Sequence, residues 1–260
     1  MRLQGHAAVV TGAGGGIGRA VALALAAEGA DVVLSDCRDG VEAAAEAVRG
    51  AGTRALAVRG DVTVMADMAA LAARTVDAFG RIDILVTCAG VDRPGLFAEQ
   101  DPTTWLSVID VNLNGTYRAV HAVLPQMMTQ RSGRIITVSS IFGKVGGFGY
   151  ITAYTASKHG VIGLTRALAA ELGSQGHPGV TVNALCPGYV RAGMGVKTQS
   201  TKMGPMAGTE IFERYYKRQT PLRRMIEAEE IGHAAVFLAL PQSAGITGQA
   251  LNVDGGFVMS

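Results

Sequence analysis

A hydroxyl, a phenol and an ammonium fall close together in this chain, at Ser139-Ser140, Tyr154 and Lys158. They follow the strand-like run Gly133-Arg-Ile-Ile-Thr-Val138, and the apolar pattern behind Tyr154 predicts a helix over 153–173. On a helix Lys158 lies one turn beyond Tyr154, over the same face. A free phenol ionises near pH ~10 and carries protons poorly at pH ~7. A neighbouring cation favours the phenolate and lowers that value, which is what proton transfer to or from a substrate oxygen needs. The competing explanation is packing alone, an aromatic ring beneath a snorkelling lysine stem. The two serines are rivals for the hydroxyl, because neighbours in extended chain point to opposite faces. Tyr150 is a second phenol, but its partner four residues on is Tyr154 rather than a lysine.

The elements that must position these groups begin with the apolar run Ala7–Thr11, the loop Gly12-Ala-Gly-Gly-Gly-Ile-Gly18 and an Ala-rich helix ending near Gly29. A strand at 31–36 follows, then a helix over 41–49, a strand at 54–59, a helix over 65–79 and a strand at 82–87. One long helix is predicted over 103–129, then strands at 134–138 and 179–185 around the helix of Tyr154, a helix over 227–239 and a last strand at 248–253. This alternation with short connections predicts a doubly wound α/β fold of the Rossmann type, a parallel sheet of about seven strands covered by helices on both faces, in one domain over 1–260. Strands with few charges agree with burial on both sides. Residues 190–225 break the rhythm, with a short helical pattern at 209–218. They read as an excursion that closes on a ligand, or as a long solvated loop.

Composition narrows the function. The chain has 260 residues, 48% of them hydrophobic, and a formal charge of +2. That charge is too small and scattered to predict a nucleic-acid or membrane-surface partner, so a small molecule is expected. With no apolar run of membrane-spanning length and no signal-like start, a cytoplasmic location is expected. Cys37, Cys88 and Cys186 lack ligand spacing and the five histidines lack pairing, so no metal site is assigned.

A strand that opens through glycines into a helix directs backbone N–H groups at one point and suits a pyrophosphate. The spacing Gly12-x3-Gly16-x-Gly18 differs from the dinucleotide fingerprint G-x-G-x-x-G. Asp36 strengthens the nucleotide reading, since a carboxylate at the end of the second strand accepts hydrogen bonds from ribose hydroxyls and repels a 2′-phosphate. NAD is therefore favoured over NADP, with Arg38 as a partial offset. Asp36 as a turn residue is the plainer alternative.

Taken together, these motifs resemble the short-chain dehydrogenase/reductase family over about Gly5 to Gly256. The glycine motif reads Thr11-Gly-x-x-x-Gly-x-Gly18, placing Gly12, Gly16, Ile17 and Gly18 at the dinucleotide. By the same resemblance Asp61 and Val62 contact the adenine, Ala89 and Gly90 follow the fourth strand, and Pro187 and Gly188 turn beside the nicotinamide. Asn112, Ser140, Tyr154 and Lys158 match the catalytic set. Tyr154 is implied as the general acid/base, Lys158 as its activator and a ribose ligand, Ser140 as the group that orients the substrate oxygen, and Asn112 as support for a water chain. Three positions depart from the family pattern: Cys88 stands where asparagine is usual, Ala192 replaces a nicotinamide-binding threonine so that backbone at Val190 takes that role, and Ser140 precedes Tyr154 by one residue more than usual.

The resemblance implies hydride transfer between NAD(H) and a secondary alcohol or ketone, in a homotetramer formed through the helices 103–129 and 153–173. Phe142, Phe148, Tyr150, Tyr189 and Met194 are the candidate substrate-facing groups and point to a hydrophobic or cyclic compound. The rival within the enzymes is a 3-oxoacyl thioester reductase, favoured by the look of 156–161 and 182–188 but not by Gly15, where such reductases often carry a basic residue. A non-catalytic dinucleotide-binding sensor or scaffold is the rival from another class, opposed by the intact set of four.

Overall fold

The computed structural model describes residues 1–147, 149–192 and 209–259, with backbone only for 209–213. Phe148 and Met194 lie outside the described residues, as does most of the excursion expected at 190–225.

Seven strands form one parallel sheet in the order β3-β2-β1-β4-β5-β6-β7. They are β1 (Ala7–Thr11), β2 (Asp31–Asp36), β3 (Ala55–Arg59), β4 (Ile84–Thr87), β5 (Gly133–Val138), β6 (Val180–Pro187) and β7 (Ala250–Val253). The crossovers are α1 (Gly16–Ala27), α2 (Gly40–Gly50), α3 (Met65–Phe79), α4 (Pro102–Ile109), α5 (Gly115–Gln130) and α6 (Thr152–Ser174). After β6 come α7 (Thr209–Gln219) and α8 (Ala228–Ala239). Strand parity divides the core in two. Ala8, Val10, Val32, Leu34, Ile84, Val86 and Ile136 pack against α1, α2 and α8. The intervening Val9, Val33, Leu85 and Ile135 pack against α3 and α5. Successive side chains point to opposite faces, so a sheet covered on both sides must be apolar at every position.

The winding reverses between β1 and β4, which are neighbours although β2 and β3 intervene in sequence. Such a switch point leaves a crevice beyond the carboxyl ends of the strands, where ligands bind in open α/β sheets. Gly12 lies in this crevice with φ +65°, and a Cβ there would sit 2.6 Å from the Ala89 backbone nitrogen. A side chain at 12 would force the two strand ends apart.

The helix expected over 103–129 is interrupted. Asp101 caps α4 by accepting from the Thr103 N–H at 2.7 Å, with Pro102 in the first turn. The chain then makes a π-turn over Asp110–Asn114, closed by the Gly115 N–H onto the Asp110 carbonyl, before α5 begins. One extra residue in the turn rotates Asn112 inward, where it is fully buried. Such turns recur at functional sites in longer helices.

Candidate active site

The two serines after β5 separate as strand parity requires. Ser139 continues the sheet by donating its N–H to the Leu185 carbonyl at 2.8 Å, and its hydroxyl donates to the Lys158 carbonyl at 2.8 Å. Its role is to fasten β5 to α6. Ser140 faces the crevice: its oxygen accepts from the Phe142 N–H at 3.2 Å, capping the turn Ile141–Gly143, and its hydroxyl shares a hydrogen bond with Tyr154. Gly143 permits the close approach of this turn, since a Cβ there would strike the Ser139 hydroxyl and lie 2.7 Å from the Lys158 carbonyl oxygen.

Tyr154 is in the first turn of α6 and Lys158 in the next. Lys158 Nζ is 5.6 Å from the centre of the Tyr154 ring and donates to the Val138 carbonyl at 2.8 Å. Asn112 completes the group. It accepts from the Val91 N–H at 2.8 Å and donates to the Val91 carbonyl at 2.9 Å and to the Ser157 hydroxyl at 3.0 Å. A Cβ on Gly90 would lie 3.3 Å from Asn112 Oδ1 and 3.6 Å from Lys158 Nζ, so the turn after β4 meets both. The four candidates that the sequence singled out converge on one point of the crevice.

The electrostatics differ from the sequence expectation. Burial pushes the Tyr154 phenol up to about 12; the Ser140 hydrogen bond opposes the rise, and the charge of Asp92 adds to it. Burial also lowers the Lys158 ammonium to about 8. The expected lowering of the phenol by its lysine is thus absent in the protein alone, because desolvation of two buried groups outweighs a cation whose nearest bond is to a carbonyl.

The crevice also suits a dinucleotide. Gly16 opens α1 with φ +54°, no side chain caps that helix, and its first turn holds no acidic residue. The N–H groups of Ile17 and Gly18 are left for an anion, and a Cβ on Gly15 would meet no described atom within 4 Å. Asp36 is buried at the end of β2 and accepts from the Gly14 N–H at 3.0 Å and from the Arg38 N–H at 3.0 Å. The exposed Arg38 guanidinium folds back on it at 3.2 Å. After β3, Asp61 accepts the N–H and hydroxyl of Thr63, both at 2.8 Å, while Val62 packs toward Gly115.

Beyond β6, Pro187 and Gly188 lead to Val190, which bridges Ile226. The bridge uses the Tyr189 carbonyl and the Arg191 N–H, leaving both backbone groups of Val190 outside it. The Cys88 N–H donates to the Thr11 carbonyl at 3.1 Å, so the sheet is joined there by backbone despite the missing asparagine.

Phe142, Tyr154 and Tyr189 belong to one apolar cluster with Ile141, Ile151 and Phe257. Phe142 meets Tyr189 edge to face at 6.0 Å, Tyr189 meets Tyr216 at 4.7 Å, and Tyr216 stacks on Phe257 at 5.6 Å. Tyr216 is fully buried; its hydroxyl donates to the Asp254 carbonyl at 2.9 Å and accepts from the Tyr189 N–H at 3.3 Å. Tyr150 stands at the rim, exposed and with φ +77°, and its carbonyl accepts from the Gly95 N–H at 2.8 Å. From the sequence, substrate selection is expected near 92–97, 141–150 and 190–216, which contain Asp92 and Tyr216 without singling them out; nothing in Asp-Arg-Pro announces a carboxyl oxygen closed to solvent. Among the described residues no group of three or more His, Cys, Asp or Glu could hold a metal ion, and no helix is long and apolar enough to cross a membrane.

A family profile described as "Enoyl-(Acyl carrier protein) reductase" matches residues 12–258. The short-chain reductase protein NovJ of Streptomyces niveus is 41% identical over 254 residues, 97% of this chain and 94% of that protein. The chain belongs to the short-chain dehydrogenase/reductase family. Among solved structures, a variant of the actinorhodin polyketide ketoreductase with NADPH superposes with TM-score 0.91 at 35% identity, covering 97% of each chain. The carveol dehydrogenase of Mycobacterium avium in complex with NAD gives TM-score 0.92 at 30% identity, covering 98% of each. Members of this family are oxidoreductases that bind a nicotinamide dinucleotide and act on small molecules, and the two neighbours carry different forms of the cofactor.

Proposed function

We propose that this protein is an NAD-dependent dehydrogenase/ketoreductase that interconverts a secondary alcohol and its ketone, the substrate being hydrophobic or cyclic. The observation that carries this reading is the Ser140–Tyr154 hydrogen bond with Lys158 Nζ 5.6 Å from the phenol ring, facing the crevice into which the glycine loop opens. When bound, the dinucleotide supplies the hydride acceptor or donor. Gly12, Gly16, Ile17 and Gly18 hold its pyrophosphate, Asp36 its adenosine ribose, and Asp61 and Val62 its adenine. Ala89, Gly90, Tyr154 and Lys158 line the second ribose, with Pro187, Gly188 and backbone of Val190 beside the nicotinamide.

Ser140 hydrogen-bonds the substrate oxygen. Tyr154 Oη takes the proton from the alcohol during oxidation and returns one to the carbonyl oxygen during reduction. With the phenol raised to about 12, Tyr154 holds its proton in the protein alone, the protonation state that reduction starts from. Oxidation needs the phenolate, and Lys158 supplies the stabilising charge. One of its three N–H groups is spent on Val138, which leaves two for the phenol and the ribose. Asn112 fixes the turn at Val91 and supports proton exchange behind Lys158. Tyr154→Phe should lower kcat by a factor on the order of 10² or more, with NADH binding retained by fluorescence titration. Turnover close to wild type would overturn the assignment.

A second reading, reduction of a 3-oxoacyl thioester, is favoured by the polyketide ketoreductase neighbour; the matching profile's description shares the acyl-carrier thioester but names reduction of an enoyl double bond. Arg38, whose side chain is 69% exposed, is the group that would turn toward a 2′-phosphate. A preference for NADPH with a 3-oxoacyl thioester over NADH with a cyclic ketone would select this reading. A homotetramer completes the proposal, supported by the exposed Leu106 and Tyr117 on α4 and α5, and sedimentation measures it.

A further inference from the structure

The turn after β4 carries an unmatched group. Asp92 Oδ1 is closed to solvent and receives no hydrogen bond from any described residue. The support its carboxyl has comes from the following residue, the Arg93 N–H and guanidinium. The turn itself is tied to the catalytic group: both backbone groups of the preceding Val91 bond the Asn112 amide, and a Cβ on Gly90 would lie 3.6 Å from Lys158 Nζ. The carboxyl therefore stands beside that group, close enough for its charge to be felt at Tyr154 and Tyr189. An acceptor buried without a donor is destabilising, and more so when charged. The neighbouring Asn112 amide is committed to Val91 and Ser157.

We infer that Asp92 is a specificity-determining residue whose Oδ1 accepts a hydrogen bond from a second polar group of the substrate, a hydroxyl remote from the reacting carbon. The substrate class this selects is the diol or hydroxyketone, apolar over most of its surface and carrying one additional donor. The aromatic wall takes the hydrocarbon face, while Asp92 reads the hydroxyl. A carboxylate at this place repels acidic substrates and gains nothing from a plain mono-alcohol. A site built to pair with a hydroxyl rejects the analogue that lacks one much more strongly than an apolar pocket discriminates by size. This inference rests on the alcohol/ketone reading proposed above.

The test compares matched pairs, cyclohexanol with the 1,2-, 1,3- and 1,4-cyclohexanediols and their ketones, in wild type, Asp92→Asn and Asp92→Leu. Wild type should prefer its best diol over the mono-ol by about 10- to 100-fold in kcat/KM, the range of one hydrogen bond to a charged group. Asp92→Leu should abolish the preference while keeping or raising mono-ol activity, and Asp92→Asn should keep part of it through its amide oxygen. Melting temperatures of both variants without substrate should equal or exceed that of wild type, because an unpaired buried carboxylate is removed. The inference is overturned if diol and mono-ol activities fall in parallel in Asp92→Leu, or if the variants melt lower. Failure of the underlying reading looks different: Tyr154→Phe then turns over like wild type, or no alcohol or ketone of the series reacts with either cofactor.

Discussion

Two walls of the crevice are built on opposite principles. The β5–α6 wall is cross-connected at the residues assigned to proton transfer: Ser139 to the Lys158 carbonyl, Lys158 to Val138, Ser140 to Phe142 and Tyr154. The facing wall, from the turn after β4 through 91–100 to the rim at Tyr150, has an orphan carboxyl oxygen at Asp92 and a non-glycine residue with positive φ at Tyr150. On the roles proposed above, groups that perform the same proton transfer on every substrate are held by the protein itself, and groups that discriminate between substrates are left for the substrate to satisfy. Functional sites depart from internal hydrogen-bond satisfaction where a ligand completes it.

Two glycines put this contrast at its largest. Gly143→Ala places a methyl against the Ser139 hydroxyl and 2.7 Å from the Lys158 carbonyl oxygen, so α6 must shift from β5. Overpacking against backbone costs about 1–3 kcal/mol. Because Tyr154 and Lys158 move with the helix, kcat should fall on the order of 10²-fold. Gly95→Ala, on the facing wall, meets no described atom within 4 Å and keeps the N–H that Tyr150 accepts. Its melting temperature and kcat should stay near wild type. Equal effects in the two variants, by calorimetry and steady-state kinetics, would erase the distinction between the walls.

The adjacent serines give the next largest difference. Ser140→Ala should lower kcat/KM by about 10- to 100-fold with little change in melting temperature, since it removes the hydroxyl that meets Tyr154 and that is proposed to meet the substrate. Ser139→Ala should do the reverse, costing about 1 kcal/mol of stability through the lost bond to α6 while kcat/KM changes less than about threefold.

Ser139 and Ser140 also mark how far the sequence can be read. Strand parity lets only one of them face the crevice; the resemblance points to Ser140, and it is the Ser140 hydroxyl that meets Tyr154. The strands and crossovers were legible because apolar runs and glycine turns are local signals, and because parallel strands must be apolar on both faces. The π-turn at Asp110–Asn114 was not legible: one extra residue changes no periodicity over so short a span, and its cause is the tertiary fit of Asn112 against Val91. The direction of the Tyr154 shift was missed for a related reason. Spacing placed a cation near a phenol, but desolvation depends on what covers both, which spacing does not contain. Asp92 has the same character, a carboxyl in a polar-looking turn whose burial arises from the packing around it.

Asp36 tests a third part of the crevice, where a buried carboxylate is satisfied before any ligand arrives. Its oxygens already accept from Gly14 and Arg38, which hold the group ionised despite its burial. Asp36→Asn should lower the preference for NAD over NADP by about tenfold in kcat/KM, Arg38 being released toward a 2′-phosphate. An unchanged ratio would detach Asp36 from cofactor choice.

The smallest expected effect is the most selective probe of the contrast. Burial raises the Asp92 carboxyl from 3.8 to about 6, and the charged or titratable groups that face it are Arg93, Tyr154 and Tyr189. Between those two values the folded protein holds a proton that the unfolded chain has released, so stability conferred by the neutral carboxyl is lost as pH rises through about 6. Asp92→Asn cannot titrate there. The melting temperatures of wild type and Asp92→Asn should therefore diverge from pH ~4 to pH ~6, with the variant higher, and run parallel above. Burial raises both Tyr154 and Tyr189, so they remain protonated throughout that window and neither generates the divergence. Parallel curves across the whole window would mean that the carboxyl is solvated or paired, and the facing wall would then be as internally satisfied as the catalytic one.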